Sequence, residues 1–231
     1  VVNSGLLMEH FVETGTSGPA TNGAFFEPAF PDTLYYPEAH AGRRNLVFYA
    51  RPGHPRNLFL RGIEALRRAF EAGLFPNDLW DVHFFGVDVP NVVFDGRPIQ
   101  IHNTLPWSDY AALMRRADLG FSLMYTPHPS YPPLDLAASG AVVVTNCFGP
   151  KGKASHYCEN ILYSPLDVDA LVDALRRGAE RADTPPLRQA AHASARLNRD
   201  WGSAFAPVLE WLREPRAAAS HQDEPGAGSA R

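Results

Sequence analysis

The stretch Asn45-Leu-Val-Phe-Tyr-Ala50 is a continuous apolar run, which is typical of a β-strand buried on both faces of a sheet. The residues after it predict an amphipathic helix, because Phe59, Ile63 and Phe70 share one face and Arg67 lies on the opposite face. A buried strand followed by such a helix is the repeating unit of an α/β protein.

The same alternation continues along the chain. Further apolar runs predict strands, and segments with apolar residues three or four positions apart predict helices between them. The other predicted strands lie at residues 81–85, 98–102, 118–124, 141–145 and 161–163. The other predicted helices lie at 6–12, 107–114 and 134–139, after a cap at Asp167, and over 187–212 with Pro207 as a break.

Strands separated by helices in this order predict an α/β, Rossmann-like fold with a parallel sheet and helices on both faces. Residues 41–195 would form this domain, and residues 196–213 a C-terminal helix. Residues 1–40 lack the rhythm of a complete domain, and residues 214–231, rich in Ala, Ser, Gly and Pro, predict a disordered tail. Since the chain begins at Val1 rather than at Met, we expect it to be a fragment of a longer protein.

Composition argues for an ordinary globular protein. The 231 residues are 45% hydrophobic and carry a net charge of −4, with no long Lys/Arg block, so a nucleic acid is not an expected partner. The two cysteines, Cys147 and Cys158, lie outside any CxxC spacing and favour free thiols in a reducing cytoplasm. No apolar run approaches the ~18 residues of a membrane span.

The loop Arg51-Pro-Gly-His-Pro-Arg-Asn57 follows the first predicted strand and leads into a helix. Ligands of open parallel sheets bind at the carboxyl ends of the strands, where such loops lie. Arg51 and Arg56 could give charge-assisted hydrogen bonds to a diphosphate, and the helix N-terminus adds about half a positive charge. A solvated loop with Asn57 as the helix cap is the alternative that the residues leave open.

A second candidate region is the proline-rich stretch Tyr125-Thr-Pro-His-Pro-Ser-Tyr-Pro-Pro-Leu-Asp135. Ser130 and Tyr131 would lie near the N-terminus of the next helix, where backbone N–H groups lack partners. Asp135 could accept hydrogen bonds from two ribose hydroxyls, or it could only complement the helix dipole. Gly86, which ends the second strand, fits a close backbone approach to a ligand or an ordinary turn.

Several catalytic and binding motifs are missing from the sequence. There is no GxGxxG or GxxxxGK[ST] phosphate loop, no GxSxG elbow and no HExxH metal motif. The histidines His54, His83, His102 and His128 have no metal-ligand spacing, so metal binding is not expected. As a lone histidine, His128 is expected to be structural.

The run Ser130-Tyr-Pro-Pro-Leu-Asp-Leu-Ala-Ala-Ser-Gly140, followed by Ala141-Val-Val-Val-Thr-Asn146, resembles the signature of retaining GT-B glycosyltransferases of family 4. In that family, a Glu-x7-Glu stretch leads into a Gly and a buried Val-rich strand. The run is most similar to that of bacterial rhamnosyltransferases, whose first-strand loop the segments Tyr49-Ala-Arg-Pro52 and Arg56-Asn57 also resemble. The resemblance covers roughly residues 1–212.

This resemblance implies that the chain is the donor-binding half of a GT-B architecture, which consists of two facing Rossmann-like domains. Residues 1–40 would be a remnant of the N-terminal acceptor domain and the interdomain segment, and the rest of that domain would be missing. By position, Asp135 matches the glutamate that binds the ribose, and Arg51 matches the residue that neutralises the diphosphate. The loop over the phosphates and sugar matches Ser130, Tyr131 and Leu134, and the nucleobase would lie at His102, Asn103 and Leu105.

The implied reaction is retaining transfer of a sugar from a nucleoside diphosphate to a glycan or lipid-linked acceptor hydroxyl, with dTDP-rhamnose as one candidate donor. Arg51, Arg56 and helix N-terminal amides would stabilise the leaving diphosphate, so no metal or other cofactor is expected. The implied location is the cytoplasm, including the inner face of the membrane. Two departures concern the donor: Pro127 stands where the first glutamate would be, and the usual Arg and Lys pair is Arg51 and Arg56.

Two other functions remain open at this point. The chain could be a nucleotide-sugar-binding module without turnover of its own, because half of the cleft would be missing. It could also be a sugar epimerase of the same architecture, which would need acid/base carboxylates near the sugar. A flavodoxin-like or response-regulator domain is disfavoured, because Arg51 stands where an acidic cluster would follow the first strand.

Overall fold

The computed structural model describes residues 1–16, 18–152 and 157–213. The strands are β1 (Arg44–Ala50), β2 (Trp80–Gly86), β3 (Val93–Phe94), β4 (Arg97–Pro98), β5 (Gln100–Asn103), β6 (Leu119–Phe121), β7 (Val142–Asn146) and β8 (Ile161–Ser164). The helices are α1 (Gly5–Glu13), α2 (Pro19–Asn22), α3 (Phe59–Glu71), α4 (Trp107–Arg116), α5 (Tyr131–Ala138), α6 (Val168–Ala182), α7 (Pro185–Ala193) and α8 (Trp201–Arg213), with a 3-10 turn at Pro55–Asn57.

Six strands form one sheet in the order β5-β2-β1-β6-β7-β8, and every pairing in it is parallel. The predicted parallel α/β fold is therefore confirmed. The third predicted strand is split, because Pro98 belongs to the antiparallel β3-β4 pair and the parallel strand begins at Gln100. The strand β6 is shorter than predicted. The backbone N–H and C=O of Met124 bind the side chain of Asn146 and not the backbone of a neighbouring strand.

Both faces of the sheet are buried, as the apolar run of β1 predicts. Phe48 packs on one side with α3 and α6, whereas its neighbour Val47 lies on the other side with α5. The packing of α3 on β1 is so close that a Cβ on Gly62 would lie 2.4 Å from the Phe48 ring. Helices on both faces leave the carboxyl edge of the sheet as the accessible side of the domain.

The helical segment predicted over 187–212 is wrong in the position of its break, because an extended stretch separates α7 from α8 and no break occurs at Pro207. Within that stretch, the backbone N–H of Phe30 donates to the Asn198 carbonyl at 2.8 Å. The Arg199 guanidinium also donates to the carbonyls of Phe30 and Tyr35, at 3.1 and 3.2 Å. The break thus arises from pairing with the N-terminal segment, and Pro207 lies inside α8 rather than ending it.

The N-terminal segment packs against the sheet domain. It begins with α1, which Ser4 caps by accepting a hydrogen bond from the Leu7 N–H at 3.1 Å. Phe30 and Tyr35 of the same segment are buried in the core that contains α5. The division of the chain at residues 40, 195 and 213 stays a prediction, and the predicted tail at 214–231 lies outside the described residues. No helix in the described ranges is long and apolar enough to cross a membrane.

Candidate functional site

A cavity of about 600 Å³ opens at the carboxyl ends of β1 and β6, where the fold class places its ligands. The loop after β1 supplies two arginines, and the longer loop after β6 supplies the start of α5. The N-terminal segment, α4 and α8 complete the walls. The polar and aromatic lining residues are Asn3, Phe30, Tyr35, Tyr49, Arg51, Arg56, Trp107, Tyr110, Thr126, His128, Ser130, Tyr131, Asp135 and Trp201.

Hydrogen bonds to two backbone carbonyls hold the loops in place. The Tyr125 N–H donates to the Arg56 carbonyl at 2.7 Å, and the fully buried Lys151 donates from Nζ to the Met124 carbonyl at 2.6 Å. Burial lowers the pKa of Lys151 to about 7. These contacts bring Arg51, Arg56, Ser130 and Tyr131 around one cavity, as their positions after β1 and β6 predict.

Arg51 is held at the cavity wall by two neighbours. Its Nη1 donates to the Tyr49 hydroxyl at 3.4 Å, and its Nη2 lies 2.6 Å from Nε2 of His54. Its Nε is buried without a hydrogen-bond partner in the described ranges. Across those ranges neither Arg51 nor Arg56 forms an ion pair with a carboxylate, so both guanidinium charges remain available to an anion.

Ser130 has a strained backbone at the start of α5. Its φ of 72° is rarely adopted by residues other than glycine, and such strain is often found at functional sites. The Ser130 N–H donates to Nδ1 of His128 at 2.9 Å, which leaves the imidazole proton on Nε2. Ser130 Oγ, in a residue only 2% exposed, is buried without a hydrogen-bond partner in the described part of the chain. A ligand atom in the cavity would satisfy this hydroxyl.

His128 is a neutral donor beside this hydroxyl. The pKa of His128 is lowered to about 4, mainly by burial; the backbone of Asn3 opposes this shift, and the positive charges of Lys151 and Arg56 add to it. No described acceptor meets hydrogen-bond geometry at Nε2. The ring lines the cavity, which the prediction of a structural histidine did not anticipate.

Asp135 is buried in the cavity wall, with 4% of its surface exposed. The Tyr110 hydroxyl donates to its Oδ2 at 2.5 Å, and the Tyr35 hydroxyl lies beside it but outside strict hydrogen-bond geometry. Burial raises the pKa of Asp135 to about 7, although the nearby hydroxyls of Tyr110 and Tyr35 oppose part of that rise. Because α5 begins at Tyr131, Asp135 lies beyond the first turn, which weakens the alternative that it only complements the helix dipole.

The other residues predicted to bind the donor do not line this cavity. A Cβ on Gly86 would lie 1.7 Å from the Ala50 carbonyl oxygen, so this glycine permits the close approach of β2 to β1. Leu134 is buried in the core under α5. Their predicted contacts with the donor stay predictions, and the structure gives both residues a packing role.

The three residues predicted to hold the nucleobase lie at the end of β5. The Asn103 amide binds the backbone of Val89, accepting from its N–H at 2.8 Å and donating to its C=O at 3.3 Å. His102 pairs with His83 at 3.0 Å between ring nitrogens, and burial lowers the pKa of His102. His102 and Leu105 line a separate cavity of about 390 Å³. None of these three side chains lines the main cavity, and the assignment of the nucleobase to them stays a prediction.

Sequence reasoning missed the aromatic wall of the site. Trp107 and Tyr110 have the spacing of a packed helix face, which hid their position beside the cavity. Asn3, Tyr35 and Trp201 reach the cavity only through long-range packing. No local pattern in the sequence identifies these residues as site residues.

The parallel sheet with covered faces and a cavity at its carboxyl edge defines the class: a Rossmann-like, doubly wound α/β domain with a ligand site at the edge where this class binds its ligands. The chain belongs to the WsaF C-terminal domain family, whose model matches residues 44–176. It is 34% identical over 228 residues to the O-antigen biosynthesis protein RfbC of Myxococcus xanthus, in an alignment that covers 92% of this chain and 16% of that protein. The chain therefore spans about one sixth of the length of this relative.

Solved structures show the same fold. HepE (Alr3699) of Anabaena, solved in complex with UDP and glucose, aligns with a TM-score of 0.65 and 16% identity, over 92% of this chain and 62% of that one. Sucrose-phosphate synthase of Thermosynechococcus elongatus aligns with a TM-score of 0.61 and 15% identity, over 92% and 57% of the two chains. WaaG, a glycosyltransferase involved in lipopolysaccharide biosynthesis, aligns with a TM-score of 0.53 and 16% identity, over 81% and 55% of the two chains.

Proposed function

We propose that the chain is the donor-binding half of a glycosyltransferase and that its main cavity binds the nucleoside diphosphate of a sugar donor. One observation carries this proposal. Two arginines without a carboxylate partner in the described ranges line a cavity together with the N-terminus of α5 and the buried, unpaired Ser130 Oγ. Buried polar atoms are nearly always satisfied, so a ligand with many acceptor oxygens is the expected complement.

The charges in the cavity suit a diphosphate leaving group. Arg51 and Arg56 supply two positive charges, and the start of α5 lies at the same cavity, where Tyr131 has a backbone N–H but Pro132 and Pro133 have none. Such donors act on charge that develops in the transition state, and they need no metal or other cofactor to do so. Asp135, farther along the wall, would accept hydrogen bonds from the ribose hydroxyls.

The finer assignment is transfer with retention to a hydroxyl of a glycan or lipid-linked acceptor, with dTDP-rhamnose as a candidate donor. The signature from Ser130 to Asn146 supports retention and the rhamnosyl type by resemblance. The O-antigen biosynthesis named for RfbC and the lipopolysaccharide biosynthesis named for WaaG support a polysaccharide product. The acceptor would bind mainly to a further, N-terminal domain at the cytoplasmic face of the membrane.

The lining of the cavity favours a transferase over a GT-B-type epimerase. Asp135 is the only acid among the described residues that line it, whereas an epimerase needs a set of acid/base groups at the sugar. A binding module without turnover would have the same cavity and would differ from an enzyme only in activity. Sugar transfer by this chain, compared with transfer by a longer protein that contains it, distinguishes a module from an enzyme.

Titration calorimetry with UDP and dTDP tests the proposed site. Arg51→Ala should weaken binding by about 1.5–3 kcal/mol, the usual range for a hydrogen bond to a charged group, or about 10- to 150-fold. Arg61→Ala is the matched control, because Arg61 is exposed on α3 and does not line the cavity. Equal affinities in the two variants, or no binding of either nucleotide by the wild type, would remove the diphosphate site.

A further inference from the structure

Trp107 is an exposed aromatic residue at the cavity. It is the first residue of α4, and 61% of its surface is exposed although it lines the same cavity as Arg51 and Asp135. The indole stacks on Tyr110 with ring centroids 5.6 Å apart and planes 22° apart, and it meets Tyr35 nearly perpendicularly at 6.3 Å. Packing against these two rings holds the indole in place, and its exposed part forms an apolar surface toward solvent.

Tyr110 connects this surface to the rest of the site. Its ring lies under Trp107, and its hydroxyl donates to Asp135. On its other side, Tyr110 contacts Phe85 at 5.6 Å between ring centroids, and Phe85 contacts Tyr49 at 5.1 Å. Tyr49 in turn accepts a hydrogen bond from Arg51. Along this series of contacts, the cavity wall carries first the exposed indole of Trp107, then the carboxyl of Asp135 and then the guanidinium of Arg51.

A nucleoside diphosphate has the same order of chemical groups: a flat base, a ribose and two phosphates. We propose that the exposed indole of Trp107 is the platform on which the nucleobase of the donor stacks. This inference rests on the proposed function and adds the position of the base to it. The base would lie over α4, outside the separate cavity of His102 and Leu105.

The chemistry of an indole platform determines what it contributes. Stacking on an aromatic side chain is tolerant of base identity, because every base has a π-face. Trp107 would therefore raise the affinity for any nucleoside diphosphate and leave the choice of base to other groups. Since Trp107 is largely exposed and its removal buries no polar atom, variants at this position should fold like the wild type.

Calorimetry on the full chain with UDP, dTDP and inorganic pyrophosphate tests this inference. Trp107→Ala should weaken the binding of UDP and dTDP by about 5- to 150-fold, the range for loss of one base–aromatic stack. Pyrophosphate, which has no base, should bind the variant as it binds the wild type. Trp107→Phe should recover most of the lost affinity.

Phe25→Ala is the matched control, because Phe25 is also an exposed aromatic residue, with 43% of its surface exposed, but does not line the cavity. It should leave UDP affinity unchanged. Unchanged UDP affinity in Trp107→Ala, or an equal loss of pyrophosphate affinity, would overturn the platform while the diphosphate site remains. A wild type that binds neither UDP nor pyrophosphate would instead overturn the proposed function, and the platform with it.

Discussion

Replacement of Asp135 with asparagine should remove much of the pH dependence of nucleoside diphosphate binding between pH 6 and 8. Burial raises the pKa of this carboxyl to about 7 in the free protein. Ribose hydroxyls donate to the ionised carboxylate, so binding selects the ionised form and lowers the pKa. The side chain of the Asp135→Asn variant does not titrate in this range, so its affinity should not follow this equilibrium.

The structure sets the size of the effect. With a pKa of about 7, roughly one tenth of the Asp135 carboxyls are ionised at pH 6 and roughly nine tenths at pH 8. The affinity of the wild type should therefore rise about tenfold across this range. At pH 8 the variant should bind more weakly than the wild type by about 1.5–3 kcal/mol, the range for a hydrogen bond to a charged group.

Titration calorimetry with UDP at pH 6, 7 and 8 measures this difference. The terminal phosphate of UDP also titrates near pH 6, but it does so equally with both proteins, so the ratio of their affinities isolates Asp135. The ratio should widen from pH 6 to pH 8. A constant ratio, or one that narrows, would refute the ribose role of the ionised carboxylate.

The same substitution should also change how stability depends on pH. A salt-bridged acid stabilises the folded protein more as pH rises, whereas the buried Asp135 carboxyl should stabilise it less. Between about pH 4 and pH 7 the unfolded chain releases the Asp135 proton while the folded chain retains it, so the free energy of unfolding falls as pH rises. Asp135→Asn removes this loss and keeps an acceptor for the Tyr110 hydroxyl. Urea denaturation should therefore show the variant gaining stability relative to the wild type from pH 5 to pH 8.

Two further predictions concern the backbone around the site. Gly86→Ala should lower the free energy of unfolding by about 2–4 kcal/mol in urea denaturation, because its Cβ would lie 1.7 Å from the Ala50 carbonyl oxygen. Gly53→Ala, with nothing within 4 Å of the new Cβ, should cost little, and equal effects would contradict the clash. Ser130→Gly should raise the free energy of unfolding by about 1 kcal/mol, since φ is 72° there, yet weaken UDP binding through loss of Oγ. A variant that binds UDP like the wild type would exclude a ligand contact by this hydroxyl.

The parallel sheet could be predicted because each central strand is buried on both faces and therefore apolar along its length. The approach of Arg51 and Ser130 followed from the rule that parallel strands end at the same edge. The extended stretch before α8 could not be predicted, since it depends on the pairing of Asn198 with Phe30, far away in the sequence. The position of Trp107 at the cavity could not be predicted for a related reason: its spacing fits a packed helix face, and only the folded chain shows that the ring is exposed there.

A crystal structure of the chain with UDP tests the central claim most directly. We expect the phosphate oxygens within about 2.7–3.2 Å of the Arg51 guanidinium and of the Ser130 hydroxyl at the start of α5. The ribose should contact Asp135 in the same cavity. A nucleotide bound instead in the cavity of His102 and Leu105, with its phosphates away from Arg51 and Ser130, would contradict the account.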